Sequence, residues 1–190
     1  MSPARRLIAR LSTSLALIAF ANHAALAATL IDPLYRFRTL ETPHFSIHFH
    51  QGEDSLAGRL AAIAEDVWRK IERPLGTTPP SHTHVILVDQ TELANGFATP
   101  VPYNTILVTA AWPRPSEFLG KTDDWLRLVF THEFTHIVHL DRSVGWARFV
   151  RGIFGRMPIA FPNLYLPRWQ LEGLATYHES ALTGGGRLHA

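Results

Sequence analysis

His132 and His136 stand four residues apart, with Glu133 directly after the first. On a helix that spacing puts both imidazoles on one face, so they can point at one divalent metal ion. The neighbouring carboxylate is placed to take a proton from a water that the ion activates. This H-E-x-x-H pattern is the larger part of a zinc hydrolase site. The plain alternative is a helix carrying two surface histidines and no metal.

The elements that must position these residues are legible around them. From Asp123 to Leu140, Leu126, Val129, Phe130, Ile137 and Val138 recur at helical steps, with no Gly or Pro between them. Thr122 or Asp123 is the expected cap, and Asp123 and Asp124 suit the positive end of the helix dipole. A catalytic zinc usually has three protein ligands. The chain has no cysteine, so the third must be His, Asp or Glu. His139, Asp141, Glu172, His178 and Glu179 are available downstream. Three ligands in a row on one straight helix wrap a metal poorly, which weighs against His139. Asp141 turns off the motif face. Two histidines and a carboxylate suit zinc, and also iron.

Further out, His44–His50 alternates as a half-buried strand, with Phe45, Ile47 and Phe49 on one face. Its histidines, His44, His48 and His50, read as a solvated face rather than a metal cluster. Asp54–Ile71 is an amphipathic helix with Leu56, Leu60, Ile63, Ala64, Val67 and Ile71 as its stripe. Strands are expected at His84–Asp89 and Asn104–Thr109. Arg168–Leu182 is the last helix, ended by the glycines from Gly184. Strands first and helices later imply an α+β fold.

Between Leu140 and Trp169 the chain is irregular, with one short amphipathic helix. Arg142, Arg148, Arg151, Arg156 and Arg168 lie there, with no acid between Asp141 and Glu172. Trp146, Phe149, Val150, Ile153 and Phe154 interleave with them. Residues 142–168 read as a loop over the core, a lid over a cleft, or a patch resting on anionic lipid.

Residues 1–27 read as a secretory signal peptide: Arg5, Arg6 and Arg10, an apolar run from Leu11 to Ala21, then Ala25-Leu26-Ala27. Beyond them the chain has 15 Lys and Arg against 16 Asp and Glu, which gives no case for nucleic-acid binding. Export without disulfides fits a bacterial periplasm or cell envelope. One domain is expected over 28–182, and 183–190 reads as the start of a linker or a truncated end.

Two pieces together carry a resemblance. Trp169-Gln170-Leu171-Glu172-Gly173-Leu174-Ala175-Thr176-Tyr177 resembles the second helix of gluzincin metallopeptidases, especially the aminopeptidase N-like branch, and His132–His136 resembles the first. The 35 residues between His136 and Glu172 exceed that branch's usual spacing. Its amino-terminus-binding segment is missing, and Tyr177 does not match its transition-state tyrosine by position. Metzincins do not fit, because His139 and Arg142 stand where that pattern needs Gly and His. A closer resemblance is to the bacterial peptidase-MA-like group, exported proteins with a small H-E-x-x-H domain ahead of a Tol-type β-propeller. Asn95–Pro100, Tyr103–Ile106 and the ending Tyr177-His178-Glu179-Ser180 are similar to theirs.

The resemblance implies a zincin-like fold, a small mixed β-sheet packed on the H-E-x-x-H helix and a following Glu-ligand helix. It implies Zn²⁺ on His132, His136 and Glu172, with Glu133 as the base in peptide-bond hydrolysis. The strand Asn104–Thr109 would edge the cleft and pair with an extended peptide, or else lie centrally in the sheet. Gly173 and Ala175 would let the two helices approach closely. Thr176, Tyr177 and His178 are candidates for supporting a ligand or an oxyanion, as are Tyr103 and Tyr165. The partner would be a peptide or protein substrate, with a β-propeller downstream. A catalytically weak or inactive zincin-like binding module serving such a propeller is the alternative.

Overall fold

Five short segments build the sheet. They are β1 (Phe37–Glu41), β2 (Phe45–His50), β3 (Thr83–Val88), β4 (Gly96–Thr99) and β5 (Thr105–Thr109), in the order β1-β2-β3-β5-β4. The computed structural model describes residues 34–79, 81–89, 95–111, 122 and 124–189. The expected signal peptide lies outside them. β2, β3 and β5 run parallel, and β1 and β4 join antiparallel at the two ends. The parallel pair β2 and β3 needs a long crossover, which α1 (Asp54–Leu75) supplies. The remaining helices are α2 (Trp125–Leu140), α3 (Gly145–Phe154) and α4 (Arg168–Thr183), with short 3-10 turns at Pro158–Ala160, Pro162–Tyr165 and Arg187–His189. The fold is α+β with a mixed sheet.

The register aligns Ile47 with Val85 and Val85 with Ile106, so one face of the sheet is continuous hydrocarbon. These residues, with Phe45, Leu87 and Val108, are fully buried. α1 adds Leu60, Ile63, Val67 and Ile71, and α2 adds Phe130, Phe134 and Ile137. Phe45 meets the rings of Phe130 and Phe134 edge-on, with centroids 5.5 and 5.2 Å apart. The motif helix is therefore fastened to the sheet by its phenylalanines. Phe130 and Phe134 share one stripe of α2 and anchor it, while His132 and His136 share another and carry the chemistry.

Several expectations change. β1 and β4 give no clear strand signal in the sequence, because each is short and β4 begins with Gly. β5 lies inside the sheet between β3 and β4, so among the described residues the edge strand on this side is β4. α1 runs past Ile71 to Leu75, taking Pro74 into its last turn, and Gly76 ends it at φ 63°. α2 is capped by Asp124, whose side chain accepts from the Arg127 N–H at 3.1 Å, while Thr122 accepts from the Asp124 N–H at 3.2 Å. The histidine face of β2 is only partly solvated. His48 lies against His84 (Nε2 to Nδ1, 3.0 Å), and His50 is buried against Asp89. After α4 the chain turns back on it: Gly186 is buried, and the Leu188 N–H donates to Ser180 Oγ at 3.2 Å.

Gly173 does not mediate helix approach. A Cβ built there meets nothing within 4 Å, whereas Ala175 is fully buried in α4, which packs on α2. A mid-helix glycine in open space costs conformational entropy without a packing return. Gly173→Ala is expected to stabilise the protein by about 0.5–1 kcal/mol, read as a higher urea midpoint at unchanged slope. A lower midpoint would mean that the position serves something other than the helix.

Candidate metal and catalytic site

The motif stretch Thr131–Thr135 is buried throughout. Thr131 and Thr135 spend their hydroxyls on carbonyls four residues back, Arg127 O and Thr131 O, both at 2.7 Å. They leave His132 and Glu133 as the polar groups turned to the cleft. His132 Nε2 and His136 Nε2 are 3.2 Å apart. Glu172, delivered by α4, places Oε2 3.3 Å from His132 Nε2 and 3.8 Å from His136 Nε2. Ligands bound tetrahedrally at about 2.0–2.1 Å from a zinc ion are roughly 3.3 Å from one another. The three atoms have close to that spacing, so the donor set fits the ion in both chemistry and size. The Glu172 side chain is 51 % exposed, so the triad opens to solvent on that side.

Behind the triad lies a group that sequence reasoning does not assign. Glu179 is fully buried, and its Oε2 accepts from His132 Nδ1 at 2.7 Å. A carboxylate here fixes the tautomer, leaving the His132 Nε2 lone pair free to ligate. The Arg187 backbone N–H donates to Glu179 Oε1 at 3.2 Å from the returning chain end. One signal is present: Glu179 is two helical turns beyond Glu172, hence on the same face of α4.

Electrostatics separate the roles of neighbouring groups. Burial raises the Glu133 carboxyl to about 7, with Glu172 and Glu179 pushing the same way and His132 and Arg187 opposing. Burial, helped by His132, lowers His136 to about 4 and keeps its imidazole neutral, the form that binds a metal. Burial also lowers His178, whose Nδ1 has no hydrogen-bond partner among the described residues.

The site opens into a cleft of about 490 Å³ whose walls come from α2, α4, β4 and Arg187. The supporting candidates fall outside its centre. Thr176 Oγ1 accepts from Arg187 Nη1 at 3.3 Å rather than touching a ligating histidine. Tyr177 is 56 % exposed and packs against the His178 ring. Tyr103 and Tyr165 are exposed, and none of these side chains lines the cleft. The cations lining it are Arg168 and Arg187. Of the other downstream candidates, His139 keeps a buried Nδ1 without a partner among the described residues, and Asp141 is taken by Arg151 and Arg156. Comparison with family models and with curated proteins finds no match.

A second cluster joins His50, Glu53 and Asp89. Its His50 Nε2 to Asp89 Oδ1 distance of 2.5 Å is a hydrogen bond, shorter than two ligands of one ion would hold. The sequence shows nothing near His50 to complete a site, because Asp89 arrives from the end of the neighbouring strand.

Gly96 of β4 explains how Glu133 is aimed. A Cβ at position 96 would sit 2.6 Å from Glu133 Cγ and Oε1. Only glycine lets the edge strand pass this close to the carboxylate. Gly96→Ala is therefore expected to displace Glu133 and cut any hydrolytic turnover by at least about tenfold, a 1 Å misplacement being able to cost 10²-fold. Metal content should be unchanged. Full turnover in this variant would show that Glu133 has room to spare.

Proposed function

We propose that this chain is a zinc-dependent metallopeptidase of zincin-like α+β architecture, exported to the bacterial periplasm or cell envelope. The observation that carries the reading is the triangle of His132, His136 and Glu172 ligand atoms, with Glu133 buried beside it. Zinc, when bound, would polarise the scissile carbonyl and acidify the attacking water. Glu133 takes the proton of that water and passes it to the leaving amine. Its carboxylate is buried beside the ligand triangle, within the cleft where both acts would occur. Glu179 holds His132 in its ligating tautomer. Among the described residues the edge strand beside the cleft is β4, whose Gly96, Phe97 and Ala98 line it, and an extended peptide would pair there.

A second reading has one observation in its favour. Among the described residues no tyrosine lines the cleft, so a binding module, zinc-bound or metal-free, with little turnover and serving a downstream β-propeller, stands as the alternative.

Metal analysis and peptide cleavage test both. The expected result is one bound zinc per chain, most of it lost in Glu172→Ala, and cleavage of a casein-type substrate that chelator stops and zinc restores. Zinc without cleavage would favour the binding module. Absence of zinc after reconstitution would remove the peptidase and leave the binding module.

A further inference from the structure

α3 faces the wrong way for a helix that merely covers a core. Surface helices turn their apolar stripe inward. In α3 the buried residue is Ala147, and Arg151 reaches inward to Asp141. Trp146, Phe149, Ile153 and Phe154 instead point to solvent, at 58, 69, 58 and 65 % exposure. At 3.6 residues per turn these four fall within an arc of about 140°. The face continues into the Pro158–Ala160 turn, which contacts α3 and leaves Met157 and Ile159 exposed. Single exposed apolar side chains are ordinary, but a contiguous patch marks a contact surface.

The charge around the patch says what it contacts. Of the five arginines between Asp141 and Glu172, Arg151 and Arg156 are consumed by Asp141. Arg168 lines the cleft, whereas Arg142 and Arg148 are exposed and neither forms an ion pair with a described residue. No acid lies in this stretch, although acids slightly outnumber bases beyond residue 27. Exposed guanidinium groups in the same stretch as exposed aromatic and aliphatic side chains match a phospholipid boundary, where rings enter the acyl edge and phosphates take the cations.

We propose that α3 and the Met157–Ile159 turn rest on an anionic phospholipid surface and hold the domain at a membrane, independently of what the cleft hydrolyses. The test is flotation of the full chain with phosphatidylcholine vesicles, with and without phosphatidylglycerol. A second sample lacks residues 1–27, whose own arginines and apolar run would bind lipid. The hydrophobic core runs from Phe45 to Val138, so their removal leaves it intact.

Both samples should float with the anionic vesicles and not with phosphatidylcholine alone. Raising salt to about 1 M, where the screening length is roughly 3 Å, should weaken the binding. Phe149→Ser with Ile153→Ser should lower it roughly tenfold or more. Arg142→Glu with Arg148→Glu should abolish the preference for anionic lipid. All these positions are exposed, so an unchanged circular dichroism spectrum is expected. Failure of the shortened chain to float, or flotation indifferent to both pairs of substitutions, would overturn the proposal. A dimer that Phe149→Ser with Ile153→Ser dissociates, with no lipid binding, would assign the face to a second copy instead.

Discussion

Glu133→Gln should retain zinc and lose turnover by about 10²–10⁴-fold, the usual contribution of a positioned acid–base group. The substitution preserves shape and removes only the capacity to accept a proton. It suits this site because Glu133 is packed against Gly96, where a change of volume would confound a change of chemistry. His132, His136 and Glu172 are untouched, so metal content should equal that of the parent. Measured side by side, zinc stoichiometry and cleavage rate separate two roles. Undiminished cleavage would show that Glu133 is not the base. Loss of zinc along with cleavage would mean that the carboxylate helps hold the ion.

The second large effect concerns stability rather than chemistry. Asp141, directly after α2, has a side chain with no solvent exposure. It accepts from Arg151 Nη1 at 2.7 Å and Asn104 Nδ2 at 2.8 Å, and Arg156 Nη1 lies 3.1 Å away. Arg151 and Arg156 also lie over the Phe161 ring, at 3.9 and 5.0 Å. Removing this carboxylate leaves two largely buried cations without their counter-charge. Asp141→Ala is expected to cost about 3–5 kcal/mol, a large share of the roughly 5–15 kcal/mol that holds a typical domain folded. Urea unfolding with a common slope would measure it. A loss below about 1 kcal/mol would show that water replaces the carboxylate at this junction.

What can be read from the sequence follows from the range of the interactions. α1, α2, α4, β2, β3 and β5 announce themselves through local periodicity, and the α+β class follows from their order. The four-residue spacing of His132 and His136 is local too. Glu179 is different: its meaning depends on a histidine 47 residues away, and only the packing of α4 on α2 brings them together. Asp141 reads only as a carboxylate that turns off the motif face, because its partners Arg151 and Arg156 stand in the irregular stretch beyond it and reach it only in the fold. Gly96 carries no signal in its own neighbourhood, since the atom it makes room for belongs to α2. The inverted face of α3 is equally hidden. Periodicity identifies an apolar stripe but not the side of the helix that meets the protein.

The divided ownership of the ligand triangle has a mechanical consequence. Two corners belong to α2, locked into the core by Phe130 and Phe134. The third belongs to α4, where only Ala175, His178, Glu179 and Ser180 are buried. An ion seated among the three would add a second rivet between two helices that the Glu179–His132 hydrogen bond already joins. Binding would then stabilise the folded chain by linkage, because the three corners come together only when α4 is docked on α2.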